Sequence, residues 1–309
     1  MTGDNMSFSR RQFIIGLSGT ILLILIPMNK VFAKSDEGVF TSIRGNIGSY
    51  ENRGGTIGWY ATKDALVVVD AQFPDTAESC WNGLQKKNSR AIDVLLNTHH
   101  HIDHTSGNLF FKDYTYKIVA QENVPGLQKK AAVQQGNLDK QVYADETFAE
   151  TWKDSFGKET ITATYYGPAH TGGDAIIHYE SADIVHMGDL IFNRIPPYID
   201  RPAGASIQNW LKILEKIYRE YTDDTNFIFG HGNPKYGIRG NRNDLLVMRD
   251  FLNGLLSYTE KGIKEGKSKD AISNIEKLPG FEVYYTKQRK DGIFRCVSIA
   301  YDELTNAPI

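Results

Sequence analysis

Short apolar runs separated by turn residues fill the first half of this 309-residue chain. Their alternation predicts strands over 39–43, 56–62 and 65–70, with Gly54-Gly55 marking a tight turn between two of them. Residues 75–87 carry apolar positions at helical spacing, and 91–97 and 117–120 read as further strands. From 121 to 159 the pattern weakens, which predicts helices over the core joined by mobile links. Strands return at 161–166, 175–179 and 183–187. A helix over 207–221 follows, then a last strand at 226–229. The remaining tail is mostly helical, clearest over 245–264, with Ser268 placed as the N-cap of a shorter helix. Strand runs at both ends with helices between them predict an α/β layered domain, and the polar candidates fall at strand ends, where open α/β folds place their sites. No internal repeat or low-complexity segment interrupts the pattern.

The N-terminus departs from it. Ser9-Arg10-Arg11-Gln12-Phe13-Ile14-Ile15 sets paired arginines before an apolar run ending at Pro27, and Val31-Phe32-Ala33 precedes Lys34. A charged start, a short apolar stretch and a small residue at the end predict an export signal over 1–33, cleaved after Ala33. The stretch is about 15 residues, short of the roughly 20 that a membrane span needs, so no stable membrane insertion is expected after cleavage. The SRRQFI segment resembles a twin-arginine signal, which implies export, to the periplasm or an equivalent compartment, of an already folded protein.

Composition changes the picture little: 41% of residues are hydrophobic and 23% charged. Removing 1–33 deletes Arg10, Arg11, Lys30 and Asp4, moving the formal charge from −2 to −4, and no basic patch remains to suggest nucleic acid. Residues 34–309 suffice for one large domain, with a helical extension over about 241–309. The two cysteines, Cys80 and Cys296, could pair after export. Cys80 lies at helical spacing with Ala77, Trp81 and Leu84, which favours a packing role.

The chemistry concentrates in Asn97-Thr98-His99-His100-His101-Ile102-Asp103-His104, which holds four of the eight histidines. In an extended segment residues two apart share a face, so His99 and His101 can reach one point, Asp103 continues that parity, and His100 faces away. Imidazole with carboxylate suits zinc or another borderline divalent ion. An accidental surface run would need no partners elsewhere, yet partners exist. His170 lies in Gly167-Pro168-Ala169-His170-Thr171-Gly172-Gly173-Asp174, Asp189 follows Gly188, and His231 lies between Gly230 and Gly232. Each follows a strand, and five histidines with two aspartates are enough for two ions sharing one carboxylate.

Thr98-His99-His100-His101-Ile102-Asp103-His104 resembles the HxHxDH signature of the metallo-β-lactamase superfamily. His170, Asp189 and His231 fall in that family's order, and Gly54-Gly55-Thr56-Ile57-Gly58 resembles its early glycine turn. The resemblance runs from about residue 38 to 234. It implies an αββα four-layer sandwich, here with extra C-terminal helices, and a two-metal site at one edge. His99, His101 and His170 would hold the first ion, Asp103, His104 and His231 the second, and Asp189 would bridge them. Two zinc ions are expected, with iron or manganese as alternatives. A metal-bound hydroxide would attack, with Asp103 orienting it or taking its proton.

Other residues are weighed beside these. Asp70 would hold a ligand histidine from behind or simply close a strand end. His178 is expected in a local hydrogen bond. His186, Asn193, Arg194, Tyr165 and its neighbour Tyr166 are candidates for substrate contact. The carboxylate at Asp189, where one group of β-lactamases has cysteine, resembles the thioesterase, lactonase and phosphodiesterase branches, and THHHIDHTSGN is close to the glyoxalase II version of the motif. The expectation is hydrolysis of a small-molecule thioester, lactone or β-lactam. Alternatives are an iron-dependent persulfide dioxygenase on the same fold and a periplasmic metal-binding protein without turnover.

Overall fold

Side-chain alternation along the strands sorts the interior into layers. The computed structural model describes residues 37–306; the expected export segment 1–33 and its cleavage point lie outside them. A first sheet joins β1 (Val39–Arg44), β2 (Ile47–Glu51), β3 (Ile57–Ala61), β4 (Leu66–Val69), β5 (Val94–Asn97), β6 (Ile118–Gln121) and β7 (Glu146–Phe148) in sequence order. The first four pair antiparallel, and β4 to β7 run parallel. The second sheet contains β8 (Thr151–Phe156), β9 (Glu159–Tyr165), β10 (Ala175–Tyr179) and β11 (Ile184–His186). A short ribbon pairs β12 (Phe192–Asn193) with β14 (His231–Gly232), while β13 (Asn226–Ile228) and β15 (Arg239–Gly240) complete the second sheet.

In β4, Val67 and Val69 point into the core between the sheets, while Leu66 and Val68 point the other way. In β10, Ile177 and Tyr179 meet that shared core and Ile176 turns outward. The period of two thus forces each sheet to be covered on its outer face. Helix α1 (Pro74–Gln85), with the short α2 (Ile102–Thr105) and α3 (Asn108–Phe111) after β5, lies on the side of the first sheet, and α4 (Val124–Gln135) follows β6. Helices α5 (Ile207–Glu220), α6 (Arg242–Lys264), α7 (Lys269–Ser273) and α8 (Gly292–Leu304) belong to the cover of the second. The result is the αββα sandwich with added C-terminal helices. Among the described residues no helix is long and apolar enough to cross a membrane.

Region 121–159 corrects the expectation of a helical cover. It holds one α-helix, α4, and then β7, β8 and the start of β9. β8 is an edge strand in which only Trp152 is buried, so its polar outer face hides the strand period. The cysteines are free and lie in different layers, Cys80 under the first sheet and Cys296 under the second; the pairing left open by the sequence does not occur. Burial raises both thiols, that of Cys296 to about 12, so both are inert packing groups. At the far end of α8, Glu303 accepts hydrogen bonds from the backbone of Ile207 and Gln208 at 2.8 and 2.9 Å. This carboxylate caps the start of α5 and fixes the tail helix in place.

Candidate metal centre

The sheets end together at one edge, and each strand end delivers a polar side chain. β5 runs into Thr98 to His101. The chain then turns into α2 at Ile102, before the extended parity expected to reach Asp103, so Asp103 joins His104 on a helical turn. The turn between β9 and β10 carries His170. A 3₁₀ turn after β11 carries Asp189, and β13 leads to His231 at the start of β14. Two glycines allow this crowding. A Cβ on Gly230 would lie 2.0 Å from Asp189 Oδ1, and Gly188, at φ +50°, lies against Thr98. All seven expected side chains meet here in two groups, His99, His101, His170 with Asp189, and Asp103, His104 with His231. Within each group the nearest ligand-type atoms lie inside 4.8 Å of one another.

Hydrogen bonds on the far side of each ring decide what the near side offers. Asp70 is fully buried in the left-handed region at φ +63°. It accepts from the Thr98 backbone and hydroxyl and faces His104 Nδ1, each at 2.8 Å. The Thr98 hydroxyl, having donated, can only accept from His99 Nδ1 at 3.0 Å. His101 Nε2 meets Asp200 Oδ2 at 2.9 Å, and His170 Nδ1 donates to the Tyr198 carbonyl at 2.6 Å. These partners fix the tautomers and leave bare lone pairs on His99 Nε2, His101 Nδ1 and His170 Nε2. The three face one another, with His101 Nδ1 lying 3.1 Å from His99 Nε2 and 2.9 Å from His170 Nε2. Asp189 Oδ2 joins them at 3.5 Å from His170 and 3.8 Å from His99. Lone pairs this close repel unless a cation lies among them, so the donor set fits a divalent ion.

The second group shares the same carboxylate. His104 Nε2 lies 3.1 Å from Asp189 Oδ1, a buried oxygen that finds no aligned hydrogen-bond donor. His231 Nε2 lies 3.4 Å from Asp189 Oδ2 and 3.1 Å from Asp103 Oδ2. Of the two carboxylates Asp103 is the accessible one, its side chain 27% exposed against 3% for Asp189.

The groups differ electrostatically. Burial, reinforced by neighbouring imidazoles, holds His99 far below the usual range and His170 at about 3. At His104 burial opposes the charge but Asp189, Asp70 and Asp103 together outweigh it, and at His231 burial is likewise overcome by Asp189 and Asp103, to about 9. A cation at the first group therefore meets His99 and His170 already neutral near pH 7, whereas one at the second must displace at least the His231 proton below about pH 9. Binding of the second ion should weaken at least about a hundredfold between about pH 8 and about pH 6, and more steeply than binding of the first. Titration with zinc against a competing chelator at both pH values would show this; equal weakening of both ions would refute it.

The remaining expected residues take structural places. Tyr165 donates to the Gly172 carbonyl at 2.9 Å, and the Tyr166 hydroxyl donates to Glu220 at 2.5 Å. Buried His186 faces the Thr56 carbonyl with Nε2 and accepts from Gly188 N with Nδ1. Asn193 donates to the Gly237 carbonyl, and Arg194 pairs with Asp244 at 2.8 Å. None of these lines the cavity in front of the cluster, so the expectation that they meet substrate finds no geometry here. His178 Nε2 sits 4.0 Å from Asp183, beyond hydrogen-bond reach, and finds no partner, so the local hydrogen bond expected of it does not form there. His100 stays out of both ligand groups. It is nevertheless buried, 3.6 Å from Asp200. Asp200 and Tyr198, which clamp His101 and His170 from behind, were not singled out in the sequence.

A cavity of about 680 Å³ opens over the cluster, reaching Asp103, Asp189 and His231 at its floor. Its walls are the Pro196–Pro202 segment, the end of α4 and the residues 288–299 that lead into and form α8.

The model of the family described as the metallo-beta-lactamase superfamily matches residues 51–231. A probable metallo-hydrolase of Methanocaldococcus jannaschii is 29% identical over 177 residues, covering 54% of this chain and 82% of the relative. A type 2 metallo-beta-lactamase of Bacillus cereus is 24% identical over 193 residues, covering 62% of this chain and 70% of its own. Among solved structures, a stereoselective inverting sec-alkylsulfatase from Pseudomonas sp. superposes with a TM-score of 0.66 at 13% identity, over 88% of this chain and 51% of the sulfatase. The chain thus spans about half the length of that sulfatase, and the likeness is one of fold.

Proposed function

The chain belongs to the metallo-β-lactamase superfamily, and on that premise we propose that it is an exported di-zinc hydrolase that cleaves a carbonyl-type bond in a small molecule: a thioester, a lactone or a β-lactam. The observation that carries this reading is the pair of His/Asp groups sharing the Asp189 carboxylate beneath an open cavity. His99, His101 and His170 would hold one ion, Asp103, His104 and His231 the other, with Asp189 between them. Bound there, divalent ions supply an acidified water and polarise the carbonyl oxygen. The chain's own contribution is orientation. Asp70, Thr98, Tyr198 and Asp200 keep the ring nitrogens aimed inward, and Asp103, on the cavity floor beside His231, is placed to orient the attacking water or take its proton. Export by a twin-arginine-type signal is supported by the SRRQFI segment and the apolar run after it.

The test is metal content of the purified mature protein together with hydrolysis of a chromogenic cephalosporin, a thioester and a lactone. Two zinc ions per chain and turnover of one substrate class are expected. A single iron with oxygen consumption and no hydrolysis would instead indicate the oxygenase, and two tightly held ions without any turnover a metal-binding protein.

A further inference from the structure

The cavity draws part of its wall from residues that follow the matched family region. Two arginines line it, and they are not equivalent. Arg295 is engaged by Asp291, with Nε 2.6 Å from Oδ2. Arg289 donates one N–H to the Pro196 carbonyl at 3.0 Å and lies with its guanidinium 5.7 Å from the centre of the Phe192 ring. No carboxylate among the described residues lies at ion-pair distance from it. Phe192 also stacks on His231, ring centres 5.4 Å apart at 16°. One phenyl ring therefore connects an uncompensated cation to a candidate metal ligand. Of five guanidinium donors, the backbone bond uses one and leaves a fork for an oxyanion.

The same cavity presents apolar side chains to solvent. Ile102 is 40% exposed, Tyr198 50% and Phe294 41%, three of the nine exposed large hydrophobics among the described residues, and all three line this one cavity. Scattered exposed apolar groups mean little, but a set converging on an open cavity marks a binding surface.

We propose that the cavity selects an amphiphilic anion: a small molecule whose oxyanion binds Arg289 while an apolar chain lies along Ile102, Tyr198 and Phe294. Where the reacting bond sits rests on the hydrolase reading above; the binding itself does not. The probes are octanesulfonate, whose permanent charge is a weak metal ligand, and neutral octanol, both titrated by calorimetry into the metal-loaded protein. Wild type should bind octanesulfonate about tenfold more tightly than octanol or better. Arg289→Gln should erase that preference with octanol unchanged, and Arg289→Lys should restore much of it. Phe294→Ser, at an exposed position, should weaken both ligands several-fold. Equal wild-type affinities for the two probes would overturn the proposal without any variant being needed, as would octanesulfonate binding indifferent to Arg289→Gln. Selective binding without turnover of any ester would sink the hydrolase reading alone, and hydrolysis with no Arg289 dependence of binding would sink only this one.

Discussion

On the proposed two-ion hydrolase reading, Asp189→Asn should release one ion and lower hydrolysis by on the order of a thousandfold. The carboxylate is the one side chain that faces both groups, with Oδ1 3.1 Å from His104 and Oδ2 3.4 to 3.8 Å from His231, His170 and His99. Asparagine keeps the shape but removes the charge, and it turns one acceptor into an NH₂ aimed at ring nitrogens whose lone pairs are needed for metal. The chain is tight around it, since even a Cβ on Gly230 would lie 2.0 Å from Oδ1. With the charge gone, His104 and His231 also lose part of what lifts them above the usual imidazole range. Losing an ion that polarises substrate removes several kcal/mol of barrier lowering, and about 1.4 kcal/mol is tenfold in rate. Metal analysis and steady-state rates on the variant would check this. Two ions retained with activity within a few-fold of wild type would remove Asp189 from the bridging role.

Much of this arrangement was legible because its signals are local. Strand period and glycine turns place β3, β4, β10 and β11 close to where they lie, and the spacing of His99, His101, Asp103 and His104 survives the chain's early turn into α2. What escaped depends on contacts far apart in sequence. Asp200 matters because its carboxylate meets the outer nitrogen of a histidine 99 positions earlier, and nothing in the Ile195 to Asp200 stretch marks it. β7 and β8 escaped because edge strands with a wet face show no apolar alternation. Arg194 and Asn193 were attractive for standing just after Asp189, but β12 points them into the ribbon with β14, toward Asp244 and Gly237. Arg289 lies among tail residues that carry no motif, and only the fold of α8 brings it over the cluster. The motif thus reports which residues gather, while the surrounding tertiary contacts decide how each one is aimed.

Asp70 offers the sharpest separation of aim from assembly. Asp70→Ala leaves three buried donors, the Thr98 amide, the Thr98 hydroxyl and His104 Nδ1, without the oxygen each now has at 2.8 Å. An unsatisfied buried donor costs about 1 to 3 kcal/mol, and alanine is also strained at φ +63°, where Asp and Asn are tolerated. Since such terms overlap, a net loss of about 4 kcal/mol is expected, a drop in Tm of about 10 °C for a chain this size. Asp70→Asn keeps the backbone conformation and an acceptor for the Thr98 amide, so its loss should be only about 1 to 2 kcal/mol. Its amide NH₂, however, meets His104 Nδ1 and favours the neutral tautomer that keeps its proton on Nε2, the nitrogen whose lone pair a second ion would need. Affinity for the second ion should then fall about ten- to a hundredfold, and the first should weaken less, through His99 alone, because the Thr98 hydroxyl loses the same Asp70 oxygen while Asp200 and Tyr198 still aim His101 and His170. Thermal denaturation and zinc titration on both variants separate the two effects. If the asparagine variant bound both ions as wild type does, Asp70 would be a strand-end brace with no hand in the metal site.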